Sequence, residues 1–163
     1  DPSDGPAAQT ICGLGNRKND LFNTVLARDG IQPYPGSRRW VDRLHESGMA
    51  MAVVSSSRNA AAVLKAAGMV EDFSVLVDGN RSKTERLPGK PAPDTYLRGA
   101  ELLGVPAEQC VVVEDAVSGV RAGAAGGFGM VLGVNRGVGA DRLREAGADR
   151  VVDDLDEMVE EMA

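Results

Sequence analysis

Val111-Val112-Val113-Glu114-Asp115 joins an unbroken apolar run to two consecutive acids. Three successive valines show no in–out alternation, the pattern of a strand covered on both faces. Similar short runs fall at residues 50–54, 74–77, 130–134 and 150–152. Between them lie segments of helical period at 59–67, 94–103, 118–125, 140–146 and 155–162. Alternation of this kind predicts a parallel sheet with right-handed crossovers, a doubly wound α/β domain. Gly68, Gly104 and Gly147 fall where three of the helices should stop. The small residues from Gly119 to Gly129 predict a helix lying very close to the sheet.

The front of the chain reads differently. Residues 17–28 form an amphipathic pattern with Leu21, Val25 and Leu26 on one face. Pro33 and Pro35-Gly36 break the chain before a second helix at 37–46. Two helices without a strand between them resemble the end of a capping element re-entering the sheet domain. The expected division is therefore 1–35, linker and cap remnant, and 36–163, the α/β core.

Composition narrows the function. A net charge of −6 argues against a nucleic-acid partner. No apolar stretch approaches the ~20 residues of a membrane span, and the polar start, Asp1 to Gln9, predicts no secretory leader. Two cysteines, Cys12 and Cys110, make neither a disulfide framework nor a metal cluster, which fits a reducing cytoplasm. Cys110, leading into the valine run, reads as a small buried residue, and His45, in a polar stretch, as a surface one. Gly13-Leu14-Gly15 fails the dinucleotide fingerprint, with no strand before it and Lys18 in place of the third glycine.

Three clusters sit at the carboxyl ends of expected strands, the edge where open α/β sheets place ligands. Ser55-Ser56-Ser57-Arg58-Asn59 offers hydroxyls, helix-start amides and a guanidinium to phosphate oxygens, or else simply caps a helix. Gly89-Lys90-Pro91-Ala92-Pro93-Asp94 holds an ammonium on a stiff loop, suited to charge developing on a transferring group, with Asp94 as a cap; taken alone, such a lysine is more often a surface residue. Glu114 and Asp115 offer paired carboxylates to Mg²⁺, unless one of them caps the helix near Ser118.

In order and location, S-S-S-R-N, G-K-P-A-P-D and V-V-V-E-D-A-x-S-G resemble motifs two, three and four of the haloacid dehalogenase superfamily. The likeness is strongest to its β-phosphoglucomutase-like branch of sugar-phosphate enzymes and runs from about Gly13 to the C-terminus. It includes Arg17-Lys18-Asn19-Asp20, similar to that branch's cap-helix motif. The resemblance implies that Ser55, with the Ser56 backbone, binds the transferring phosphoryl group and that Lys90 bridges it to the nucleophile. It further implies that Asp115 and Glu114 hold Mg²⁺. Ser57, Arg58 and Asn59 then grip a second phosphate, and Lys18 reaches the substrate.

One departure matters. The family's first motif, D-x-D-x-[TV] on a central strand, supplies the nucleophilic and acid–base aspartates, and no such stretch occurs here. Asp1-Pro2-Ser3-Asp4-Gly5 spaces its acids three apart with no strand before them, and reads as a turn-forming linker. The expectation is thus a Mg²⁺-dependent phosphotransferase working through an aspartyl phosphate, acting on a sugar phosphate as a mutase or as a phosphatase. The chain is expected to be inactive alone, with its central strand supplied by an absent N-terminal segment or a second copy. A non-catalytic phosphate-binding module is the remaining alternative.

Overall fold

A computed structural model describes residue 1 and residues 3–161. Pro2, Met162 and Ala163 lie outside the described residues, and with them the end of the expected 155–162 helix and the outer limit of the 36–163 core. The strands follow the valine-rich runs. β1 (Ala52–Val54) pairs in parallel with β2 (Val75–Val77), setting Val54 opposite Val77. β3 (Val111–Glu114) pairs with β4 (Met130–Val134), and β4 with β5 (Arg150–Val152), again in parallel. The described strands thus form two sheets, β1-β2 and β3-β4-β5, and β1 does not pair with β3.

Helices cover both faces. Val131 joins Val112, Val120, Leu143 and Tyr96 in one core, beneath α5 (Asp94–Leu103), α6 (Val117–Ala125) and α7 (Ala140–Glu145). Its neighbours Leu132 and Val134 join Val152 and Leu155 in the other, against Trp40 of α2 (Pro35–Glu46) and Met158 of α8 (Asp156–Glu161). Consecutive side chains of β4 therefore feed opposite cores, which is what a doubly wound sheet requires. α6 lies as close as its glycines foretell, since a Cβ on Gly123 would stand 3.1 Å from both Val112 and Val131. Gly68, Gly104 and Gly147 follow helices at positive φ, the left-handed stop that glycine adopts freely.

Several expectations need correction. Covering on both faces holds for Val131 to Val134, but β1 is only half-buried and Val111 is 52% exposed. The cause is topological: β1 and β3 each have one paired edge, so solvent reaches the other flank. Helix α1 (Ile11–Asp29) begins before residue 17, because the Thr10 hydroxyl accepts the Gly13 N–H at 3.0 Å. Thr10 in turn donates to Asp4 at 2.6 Å. The apolar stripe of α1 is not buried, with Leu21 61% exposed, and α3 (Ala60–Ala66) packs beside part of the helix. Cys110 is half-buried, its thiol directed at the Pro106 carbonyl at 3.4 Å. Burial, then the charge of Glu108, pushes that thiol's pKa up. Asp94 lies in the first turn of α5 behind Pro93 and makes no capping bond. An unforeseen short helix, α4 (Gly79–Thr84), follows β2. His45 is exposed as expected, and no described helix is long and apolar enough to cross a membrane.

Candidate active site

The ends of β1 and β3 are linked by one ammonium. Lys90 Nζ donates to Tyr96 Oη at 2.8 Å, to Glu114 Oε1 at 3.0 Å and to the Val54 carbonyl at 3.4 Å. It also stands 4.4 Å from the centroid of the Tyr96 ring. Lys90 is held rather than waving at the surface: its side chain is 11% exposed and that of Glu114 15%. The loop explains this, with Ala92 N–H closing a turn on Gly89 and α5 starting directly after Pro93. Burial first, and then the negative charges of Glu114 and Asp115, push the Tyr96 pKa up, so the phenol keeps its proton.

Glu114 has its place because Gly119 has no side chain. A Cβ there would stand 1.8 Å from Glu114 Oε1. The carboxylate's other oxygen accepts the Asp115 N–H at 3.2 Å. Asp115 is exposed, on the wall of a cleft of about 220 Å³ that Tyr34, Ser37 and Arg136 also line. Neither acid caps α6, whose cap position is Ala116. Among the described residues no three His, Cys, Asp or Glu side chains gather as a metal cage. Mg²⁺ is commonly held by one or two carboxylates, with waters and substrate phosphate completing its shell. An exposed Asp115 with Glu114 behind it fits that incomplete set.

After β1, the chain turns on its own hydroxyls. Ser57 N–H donates to Ser55 Oγ at 3.2 Å, and Asn59 N–H to Ser57 Oγ at 3.1 Å. No side chain caps α3, so these serines shape the loop instead of the helix. Ser56, Ser57 and Arg58 are exposed, and Ser55 follows the carbonyl that Lys90 touches. From α1, Asn19 Oδ1 accepts the Asn59 side-chain amide at 2.7 Å, placing the exposed Lys18 one residue from the contact. The structure therefore joins Lys90, Glu114 and the Val54 carbonyl at one point, with Ser55 next in the chain after Val54, Asp115 next after Glu114, and the α1 segment in contact with the turn at Asn59. A fixed cation between hydroxyls and carboxylates suits a tetrahedral anion.

Sequence reasoning missed Tyr96, and named Gly119 and Asn19 within motifs without giving either a role at the site. Tyr96 lies six residues after Lys90, inside the first turns of a helix that Pro93 announces. The chain's one D-x-D spacing, Asp154-Leu155-Asp156, follows β5 and is already engaged: Asp154 pairs with Arg136 at 2.8 Å and Asp156 with Arg39.

Known proteins resemble the chain in sequence and in fold. A sequence model of the family described as haloacid dehalogenase-like hydrolase matches residues 6–127. The chain is 48% identical to a β-phosphoglucomutase of Mycobacterium bovis, over 97% of this chain and 62% of that protein. It is 39% identical to hexitol phosphatase A of Escherichia coli, over 80% of this chain and 57% of that one. The chain thus spans about three fifths of the length of each of these two relatives. Among solved structures, CbbY of Rhodobacter sphaeroides, determined in complex with phosphate, superposes with a TM-score of 0.76 at 26% identity, covering 96% of this chain and 69% of that one.

Proposed function

We propose phosphoryl transfer on a sugar phosphate as the function of this chain, which belongs to the haloacid dehalogenase-like hydrolase family, in its β-phosphoglucomutase-like branch. The observation that supports the reading most is the Lys90 ammonium, fixed between the Val54 carbonyl and Glu114 at the carboxyl edge. In this reading the reaction passes through an aspartyl phosphate, and Lys90 neutralises charge on the phosphoryl group. Ser55 Oγ and the Ser56 N–H bind its oxygens. Asp115, backed by Glu114, would hold Mg²⁺, which when bound supplies further positive charge to the phosphate oxygens. Ser57, Arg58, Asn59 and Lys18 hold the far end of the substrate.

No D-x-D-x-[TV] stretch occurs in these residues. The nucleophile's strand then enters the interval between β1 and β3, from an upstream segment or a second copy. The division at residue 35 belongs to the same reading, with 1–35 the cap side and 36–163 the core.

Mutase activity leads because a bisphosphate intermediate must stay held while it reorients, and Arg58 offers a bidentate fork for that. Hydrolysis is the second reading, favoured by the likeness to hexitol phosphatase A. The test expresses the protein from its whole reading frame and supplies β-glucose 1-phosphate with Mg²⁺ and bisphosphate primer. Formation of glucose 6-phosphate is expected. Release of inorganic phosphate alone would replace the mutase with a phosphatase, and neither product would leave a phosphate-binding module.

A further inference from the structure

The turn after β2 clamps the turn after β1, and nothing in the function described so far uses it. Gly79 N–H donates to the Ser57 carbonyl at 3.1 Å. The Asn80 side-chain amide donates one hydrogen to the Arg58 carbonyl at 3.1 Å and the other to Asp78 Oδ2 at 2.9 Å. Asp78 is itself fixed: it is 9% exposed, and its Oδ1 accepts the N–H groups of Asn80 at 3.0 Å and Arg81 at 2.8 Å. Gly79 leaves no slack, since a Cβ there would stand 2.6 Å from the Ser56 carbonyl oxygen.

A primary amide with both hydrogens committed to different acceptors has its orientation set. The bond to Asp78 therefore aims the bond to Arg58. Without that bond the Arg58 carbonyl loses its one described side-chain tether, and the backbone at Arg58, beyond the Ser57 anchor, samples more angles at an entropic cost to any ligand that must re-order it.

We infer that Asn80, oriented by Asp78, is a positioning residue: it fixes the backbone at Arg58 so that the guanidinium meets the substrate's non-transferred phosphate. This rests on the reading of Ser57, Arg58 and Asn59 as the grip on that phosphate. Asn80 touches no reacting atom. Its contribution is confined to substrates that carry a second anionic group.

The test compares two substrates in the protein expressed from its whole reading frame. One is a hexose bisphosphate; the other, p-nitrophenyl phosphate, has no second phosphate. Asn80 is exposed, so Asn80→Ala is expected to fold, and thermal melting checks this. The expected result is a five- to tenfold fall in kcat/KM for the bisphosphate, the worth of one hydrogen bond, expressed mainly in KM. Hydrolysis of p-nitrophenyl phosphate is expected to keep its rate. Asp78→Asn, which puts an NH2 donor where the Asn80 amide needs an acceptor, is expected to reproduce the pattern. Equal losses on both substrates would mean a merely structural role and overturn the inference. So would an unchanged Asn80→Ala beside an Arg58→Ala that loses the bisphosphate, while leaving the reading of the grip intact. If Arg58→Ala also left bisphosphate turnover unchanged, the grip and the positioning role would fall together.

Discussion

Replacing Lys90 with methionine removes the charge while keeping most of the side chain's bulk. Three acceptors then lose a donor: Tyr96 Oη at 2.8 Å, Glu114 Oε1 at 3.0 Å and the Val54 carbonyl at 3.4 Å. Glu114 is 15% exposed, so water re-solvates its carboxylate poorly. Removing one partner of a buried ion pair costs about 3–5 kcal/mol. The slight exposure of both groups places this pair near the lower end, roughly 3 kcal/mol. At this chain length each kcal/mol moves the melting midpoint by about 2–4 °C, so a fall of roughly 6–12 °C is expected. Urea unfolding followed by the fluorescence of Trp40, the single tryptophan, measures the loss directly. Lys90→Met with Glu114→Gln removes both charges and is expected to recover more than half of it. Turnover, measured in the protein expressed from its whole reading frame, behaves differently: it should fall at least about a hundredfold in the single variant and stay low in the double one, as for loss of a preorganised charge. A single-variant cost below about 1 kcal/mol, or strictly additive costs, would refute the reasoning.

In the protein expressed from its whole reading frame, Asp115→Asn is expected to abolish Mg²⁺-dependent turnover and leave the melting midpoint unchanged, since Asp115 is exposed; near-normal turnover with the same Mg²⁺ dependence would remove it from the metal's ligands. Gly119→Ala places a Cβ 1.8 Å from Glu114 Oε1. It should cost about 1–3 kcal/mol in urea unfolding, the scale of overpacking, and displace Glu114 from Lys90. Asp78 gives a pH signature: burial pushes its pKa up, but hydrogen bonds from the Arg81 N–H and from Asn80 outweigh this and hold it below the ordinary carboxylate range. Its stabilisation is then fully present above that range and lost as pH falls through the lower folded value. Asp78→Asn should therefore destabilise the protein at pH 7 by a margin that shrinks as the pH falls through and below the ordinary carboxylate range, and a margin independent of pH would contradict this assignment.

The parts of the fold that local chemistry decides were legible in the residues. Valine runs marked β3, β4 and β5 at the limits observed, and Pro93 with Gly104 bracketed α5. α4 escaped because Gly79-Asn80-Arg81-Ser82-Lys83-Thr84 has no apolar period; its start is set by the Asp78 side chain, which accepts two of its N–H groups. The exposed stripe of α1 shows the converse, an amphipathic pattern with no described partner for much of its face. At the site, residue types and loop positions pointed to Ser55, Lys90, Glu114 and Asp115. The contacts among them did not follow from spacing, because Lys90 and Glu114 are 24 residues apart and meet only once the sheet is assembled. The role of Gly119 was hidden likewise, since its requirement comes from a side chain on the preceding strand.

The break between β1 and β3 bears on how the molecule opens. Where strands share a ladder, their amides are protected from exchange as one cooperative unit. Here the two sheets share no backbone bonds. Their coupling runs through α5, which packs on β1 and β2 and lends Tyr96 to the core around Val112, and through Lys90. The expected outcome is two units that open separately, one around β1-β2 and one around β3-β4-β5, although Val54 of β1 also packs on the core around Val112. A strand entering the interval would knit them into one, so the amides of Val53 and Val113 would report, by their shared or separate exchange, whether the sheet is whole.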